Sequence, residues 1–253
     1  MAEQITESPR KGRSIALAAL LVIILGGLGG YFAFSASASH SNTMLPQSVS
    51  NMSTSPMLPA SSTASSTTFL AASLLAGTPP TLGSMNVSVT IVEFGDYQCP
   101  TCGGWYATQE PSLIQNLIDT GKAKLVWRDF DYYGPDSISA SGAAYAAGEQ
   151  GKFWQFHDLL FQNQQTPNNG WVSRQNMDKF AQELGLNLTE FDASFNGGKY
   201  IGLINSNHAL GVQAGVTETP TFYLIGPDGK VVTIAGGQPE SVFEQAVTQL
   251  TSG

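Results

Sequence analysis

Cys99 and Cys102 are the only cysteines in a chain of 253 residues, and they stand in the stretch EFGDYQCPTCGGW at 93–105. Two thiols this close serve as a structural crosslink, as half of a metal site, or as a reversible dithiol centre. A disulfide closing a four-residue loop removes only ~2 kcal/mol of unfolded-state entropy, against ~4.7 kcal/mol for a hundred-residue loop. A chain in need of stabilisation would join distant segments instead. A metal ion needs about four ligands. The three histidines, His40, His157 and His208, lie at no zinc-site spacing from the pair, and the sequence has no second CxxC. Redox chemistry remains, and it makes a demand on position. One sulfur belongs at a helix N-terminus, where the helix dipole and unpaired N–H groups hold it as a thiolate, and the other one turn later.

The flanking residues meet that demand. VTIVEFGDY (89–97) is a run of β-branched and aromatic residues that predicts a central strand. After the cysteines, Trp105, Leu113, Leu117 and Ile118 recur at helical spacing up to a terminator at Gly121. Pro100 suits the first helical position, and Pro111 predicts a kink further along. AKLVWRDF (123–130) predicts the next strand, which completes a βαβ unit with Cys99 at the helix N-terminus and Cys102 more buried. Residues 137–213 favour helices separated by Gly- and Asn-rich breaks. TPTFYLIG and VVTIAGG then flank Pro227-Asp228-Gly229, the signature of an antiparallel hairpin, and PESVFEQAVTQL predicts a last helix from Pro239. The order βαβ, helices, ββα is a split α/β core with a helical insertion.

Glu93 interrupts the apolar run Ile91-Val92-Glu93-Phe94, where a carboxyl is costly to bury without a partner. Buried, it carries a raised pKa. Strand alternation allows the other outcome, an edge position facing solvent. Arg128 on the neighbouring strand is either its ion-pair partner or a surface cation. Phe94, Tyr97 and Trp105 are expected to pack around the cysteines.

With TIVEFGDYQCPTC, QEPSLIQNLIDTGKAKLVWRDF and GVTETPTFYLIGPDGK, the chain from about Gly77 onward resembles the thiol–disulfide oxidoreductases of the thioredoxin superfamily. The likeness is to the DsbA-like branch, and in particular to its membrane-anchored forms similar to BdbD. The resemblance implies a thioredoxin fold over 77–253 with a helical insertion at about 132–213. It implies that Cys99 is the attacked sulfur and Cys102 the resolving one, with Thr219 before a cis-proline, Pro220, facing them. It makes Glu93 a buried acid that handles the proton of the second thiol. It implies no cofactor beyond the Cys99–Cys102 disulfide, no metal, and reoxidation by a quinone-linked membrane partner. The active-site loop is Pro100-Thr101, with no cation between the cysteines. That predicts a Cys99 pKa of roughly 4.5–6.5, between the strongly depressed value of DsbA and the near-neutral one of thioredoxin.

Charge and composition set the surroundings. The formal net charge is −8, and from residue 81 onward 8 basic residues face 17 acidic ones, so the basic stripe of a nucleic-acid binder is missing. Residues 15–34 are twenty consecutive apolar or small residues, a length that fits the ~30 Å hydrocarbon core. Arg10, Lys11 and Arg13 before them predict a cytoplasmic tail (1–13), a single-pass anchor (14–34) and everything after it outside the cytoplasm. A cleaved signal ending at ASA (36–38) is the competing reading. Seventeen of residues 35–68 are Ser or Thr, which predicts a flexible stalk continuing to about 76. The sequence thus describes a membrane-tethered oxidoreductase exchanging its disulfide with thiols of exported proteins, as an oxidase. The alternatives are a reductase or isomerase of the same fold, and a metal-binding or chaperone protein whose CxxC is not catalytic.

Overall fold

The computed structural model describes residues 62–252. Its centre is a five-stranded sheet in the order β1-β3-β2-β4-β5, formed by Thr81–Leu82, Val89–Gly95, Ala123–Asp129, Thr221–Ile225 and Val231–Ala235 taken as β1 to β5. Strands β2 and β3 are parallel, and the remaining neighbours are antiparallel. All seven residues of β2 are buried, as its unbroken apolar run requires of a central strand covered on both faces. The two-residue edge strand β1 was too short to be read from the sequence.

Between β2 and β3 runs the helix that carries the cysteines, α2 (Pro100–Thr108), followed by α3 (Glu110–Leu113) and a π-helical turn at Ile114–Ile118. The break at Gln109 is the kink expected of Pro111, whose ring displaces the carbonyl four residues earlier and which has no N–H to bond it. Leu113, Leu117 and Ile118 still reach the core. Five helices lie between β3 and β4: α4 (Pro135–Gly148), α5 (Phe153–Gln162), α6 (Arg174–Glu183), α7 (Leu188–Asn196) and α8 (Ile201–Ala214). They form the expected insertion. Their core holds Phe156, Leu160, Met177 and Phe191 and runs on into Tyr97, Cys102 and Trp127 beside the sheet. The hairpin β4–β5 and the closing helix α9 (Glu240–Thr251) are as expected from the turn and from Pro239, which is the N-cap.

The flexible stalk expected to continue to about residue 76 is corrected over its last part, which is helical. Residues Ser62–Leu74 form a helix, α1, with Ala71 and Leu74 buried beside Val92, Phe94 and Tyr223. The Leu74 carbonyl at its end and the Ala76 carbonyl just beyond it accept from the Arg128 guanidinium, which sits where a helix C-terminus favours a cation. Composition hid this helix: from residue 67 to its end only Ala71 and Leu74 are buried. The rest of the stalk, the tail at 1–13 and the anchor at 14–34 lie outside the described residues. No helix among the described residues is long and apolar enough to cross a membrane.

Candidate active site

Cys99 is the N-cap of α2 with extended backbone (φ −71°, ψ 118°), and Pro100 takes the first helical position, so the sequence places the sulfur at the open end of the helix. Both cysteines are free thiols, Cys99 5% and Cys102 1% exposed. Across from them stands the cis peptide Thr219–Pro220 at the start of β4. The Cys99 thiol donates to the Thr219 carbonyl at 3.3 Å. The Cys99 pKa is drawn down to about 6. The largest cause is the hydrogen bond from Cys102, opposed by burial; the Thr219 side chain and the backbone N–H groups of Cys102 and Thr101 add to the lowering. This value falls inside the range expected from the motif. Cys102 goes the other way: burial pushes it well above an ordinary thiol, and the hydrogen bond and charge of Cys99 push it further. The pair is therefore electrostatically unequal.

The loop before Cys99 is held by polar side chains that the sequence did not single out. Asp96, fully buried, accepts from the Gln98 N–H (2.7 Å), the Tyr132 and Tyr133 N–H groups (2.7 and 3.0 Å) and the Ser137 hydroxyl (3.0 Å). Burial raises its pKa while those four bonds oppose the rise. Gln98 donates to Ser137 and Asn168, and Gln164 donates to the carbonyls of Tyr97 (2.8 Å) and Cys99 (3.0 Å). Gln164 lies so close to Gly103 that a Cβ there would collide with its amide, which explains a glycine directly after the second cysteine. The insertion thus fixes the backbone on either side of the reactive sulfur. On the other flank the Trp105 indole donates to the Gln238 carbonyl at 3.0 Å. Phe94, Tyr97 and Trp105 are all core residues.

Glu93 is 2% exposed and faces inward, so the edge position is excluded. Its pKa is raised well above the usual carboxyl value by desolvation first, then by the charges of Glu110 and Cys99. Arg128 is neither its partner nor a surface cation. The β2–β3 register sets Glu93 beside Trp127 and Phe94 beside Arg128, so Glu93 and Arg128 project from opposite faces of the sheet. Arg128 is buried and binds Asn207 and the end of α1. Glu93 has different neighbours, which sequence spacing could not reveal. Glu110 on α3 and His157 on α5 are both buried, with Glu110 Oε1 3.8 Å from His157 Nε2. His157 Nδ1 is 3.1 Å from the Tyr97 hydroxyl, and burial holds the ring neutral, with a pKa down to about 3. His208 instead stacks on Phe130 at 4.5 Å. No group of three or more His, Cys, Asp or Glu among the described residues is placed to hold a metal ion.

Comparison with known proteins agrees with this geometry. A family profile described as Thioredoxin matches residues 75–235. A Bacillus anthracis protein, "Probable disulfide bond formation protein D", is 35% identical over 115 residues, which cover 45% of this chain and 49% of that protein. The chain spans about half the length of the curated relatives it matches first. Among solved structures, a thioredoxin-like oxidoreductase from Silicibacter pomeroyi superposes with a TM-score of 0.61 at 27% identity, over 72% of this chain and 98% of that one. BdbD from Bacillus subtilis, in its oxidised form, gives 0.61 at 24% identity over 69% and 94%, a likeness of fold. With a profile covering more than half its length and the cysteine pair, helix N-terminus and cis-proline in their places, the chain belongs to the thioredoxin family.

Proposed function

We propose that the protein is a thiol–disulfide oxidoreductase of the DsbA and BdbD type, acting outside the cytoplasm as an oxidase of exported thiol proteins. The inequality of the two sulfurs carries this reading: Cys99 at the helix end with a pKa of about 6, and Cys102 one turn later, buried and raised. In the oxidised protein a substrate thiolate attacks Cys99 Sγ, a new S–S bond forms, and the Cys99–Cys102 bond breaks with its electron pair on Cys102. That sulfur takes up a proton. A second substrate thiolate then attacks the substrate sulfur of the mixed disulfide and expels Cys99, which leaves readily as a stabilised thiolate. The substrate ends as a disulfide, two electrons poorer, and the enzyme as the dithiol. The Thr219–Pro220 segment across from Cys99 would take the substrate backbone as an added strand, which suits a sequence-tolerant enzyme.

Reoxidation requires an electron acceptor, and the likeness to disulfide bond formation proteins supports a quinone-linked membrane partner. The same likeness, with the apolar segment at 15–34, supports a single-pass anchor and an extracytoplasmic catalytic domain. Cys102→Ser in the full chain tests the roles. It is expected to accumulate mixed disulfides through Cys99, because the internal resolving thiol is gone. Adducts trapped by Cys99→Ser instead would reverse the assignment.

A further inference from the structure

Exchange leaves Cys102 as a thiolate in a place where it is 1% exposed, which gives bulk water little direct access to it. We propose that its proton arrives from behind the CxxC helix, by way of Glu93 and then Glu110, from a surface cavity between α2–α3 and α5. This rests on the exchange chemistry above and adds a residue and an entry point to it.

The geometry runs in steps. Beneath the cysteines, the Glu93 carboxyl lies over Gly95 beside the Trp127 ring, since a Cβ on Gly95 would meet both. Trp127 meets the His157 ring edge-on at 4.9 Å, and His157 Nε2 faces Glu110 Oε1 at 3.8 Å. Glu93 Oε2, Glu110 Oε2 and His157 Nε2 are all buried and make no hydrogen bond among the described residues. Three unpartnered polar atoms in one region cost too much to be packing alone. Glu110 also lines a cavity of about 540 Å³ with Tyr106, Pro111, Asp158 and Phe161. At its wall the Tyr106 hydroxyl donates to Asp158 at 3.2 Å.

The charges fit transfer along this line. Glu93 is raised by burial first and then by the charges of Glu110 and Cys99 whenever those are ionised, and Cys102 is raised in part by an ionised Glu93. Glu110 is lifted by burial and then by Asp158, to about 8, which keeps it protonated and able to donate at neutral pH. The other titratable groups facing it are His157, held neutral, and Tyr106, raised to about 12. The transfers balance without electrons. Glu93 gives its proton to the Cys102 thiolate, Glu110 reprotonates Glu93, and water in the cavity reprotonates Glu110. During reoxidation the same steps run backwards.

The test compares Glu110→Gln, Glu110→Ala and Glu93→Gln in the full chain. Stopped-flow exchange with a reduced peptide is followed from pH 5 to 9, and thermal unfolding reports folding. Glu110→Gln, isosteric and folded, is expected to slow Cys102-dependent exchange by roughly 10-fold or more and to remove an inflection near pH 8. Formate, small enough for the cavity, is expected to restore the rate of Glu110→Ala in proportion to its concentration, which a structural role would not produce. An unchanged pH profile in Glu110→Gln beside a slowed Glu93→Gln would overturn the route while leaving exchange chemistry intact. Wild-type protein that exchanges no thiols would overturn both.

Discussion

The reduction potential of the pair should change slope with pH where Cys99 ionises, and removing one hydrogen bond should move the break. Below the Cys99 pKa, reduction takes up two protons with two electrons, and the potential falls by ~59 mV per pH unit. Above it only Cys102 takes a proton, and the slope halves to ~30 mV. With a pKa of about 6, ionisation stabilises the reduced protein at pH 7 by about 1.4 kcal/mol, or ~30 mV. Thr219→Val keeps the β-branched shape and the carbonyl that accepts from the Cys99 thiol, but removes the Thr219 hydroxyl, whose polar contribution lowers the Cys99 pKa. A bond to a charged group contributes ~1.5–3 kcal/mol when buried, and solvent at the mouth of the site screens about half of that. The break should therefore rise by about one pH unit, and the potential at pH 7 should fall by ~20 mV. Equilibration with glutathione from pH 5 to 8, quenched with acid and read by thiol alkylation and mass, measures both. Thiolate absorbance near ~240 nm gives the pKa independently. A single ~59 mV slope through pH 8 in the wild type would refute the ionised-thiolate reasoning, and with it the driving force for oxidation.

Three further outcomes follow from the same contacts. Asp96→Ala leaves four donors without an acceptor and should cost about 3 kcal/mol in urea unfolding; Asp96→Asn should cost less, since one of its two positions still accepts. Glu93→Gln should flatten the pH dependence of stability. The folded-state pKa lies above the unfolded one, so this group's contribution is intact below the unfolded pKa and is lost by roughly 1.4 kcal/mol per pH unit as pH rises above it. Denaturant midpoints of wild type and variant from pH 4 to 8 check the sign, and a parallel decline in both would refute it. Arg128→Met should release α1, seen as faster proteolysis around residues 75–80, with exchange rates within about twofold of wild type because Arg128 faces away from Glu93.

Local pattern and function coincide in the elements around the cysteines. The β-branched run into Cys99, the proline at the helix start, the second proline that breaks the helix and the Pro-Asp-Gly hairpin each specify local backbone, and each element stands where the residues placed it. Arg128 shows what was lost. Its neighbourhood to Glu93 on adjacent strands is a matter of sequence, but the face it takes depends on a one-residue register, and register is a tertiary property. The same holds for α1, whose burial comes from the sheet it leans on, and for Glu110 and His157, which come together only when the insertion folds back over Trp127. A lone histidine in an amphipathic helix carries no sign of that neighbour.

The carboxyls Asp96, Asp129, Glu93 and Glu110 differ in how they are compensated, although an unpaired oxygen is not by itself a mark of chemistry, since Asp131 Oδ2 has no partner among the described residues either. Asp96 receives four hydrogen bonds, and Asp129 receives three, from the Trp127 indole, the Tyr145 hydroxyl and the Asn207 amide. Such groups tie the loop and the insertion to the sheet, and their bonds offset part of the desolvation. Glu93 and Glu110 each keep an oxygen with no such bond among the described residues, so burial raises both. An apolar side chain of similar size at either position would be more stable. What a raised carboxyl provides instead is a proton within reach at neutral pH, and both lie along the path from the buried sulfur to the cavity behind it. Double substitution is the discriminating case. If the two carboxyls act in series, Glu93→Gln with Glu110→Gln should slow exchange no more than Glu93→Gln alone; independent packing roles would instead make the losses of stability add and leave the rates uncoupled.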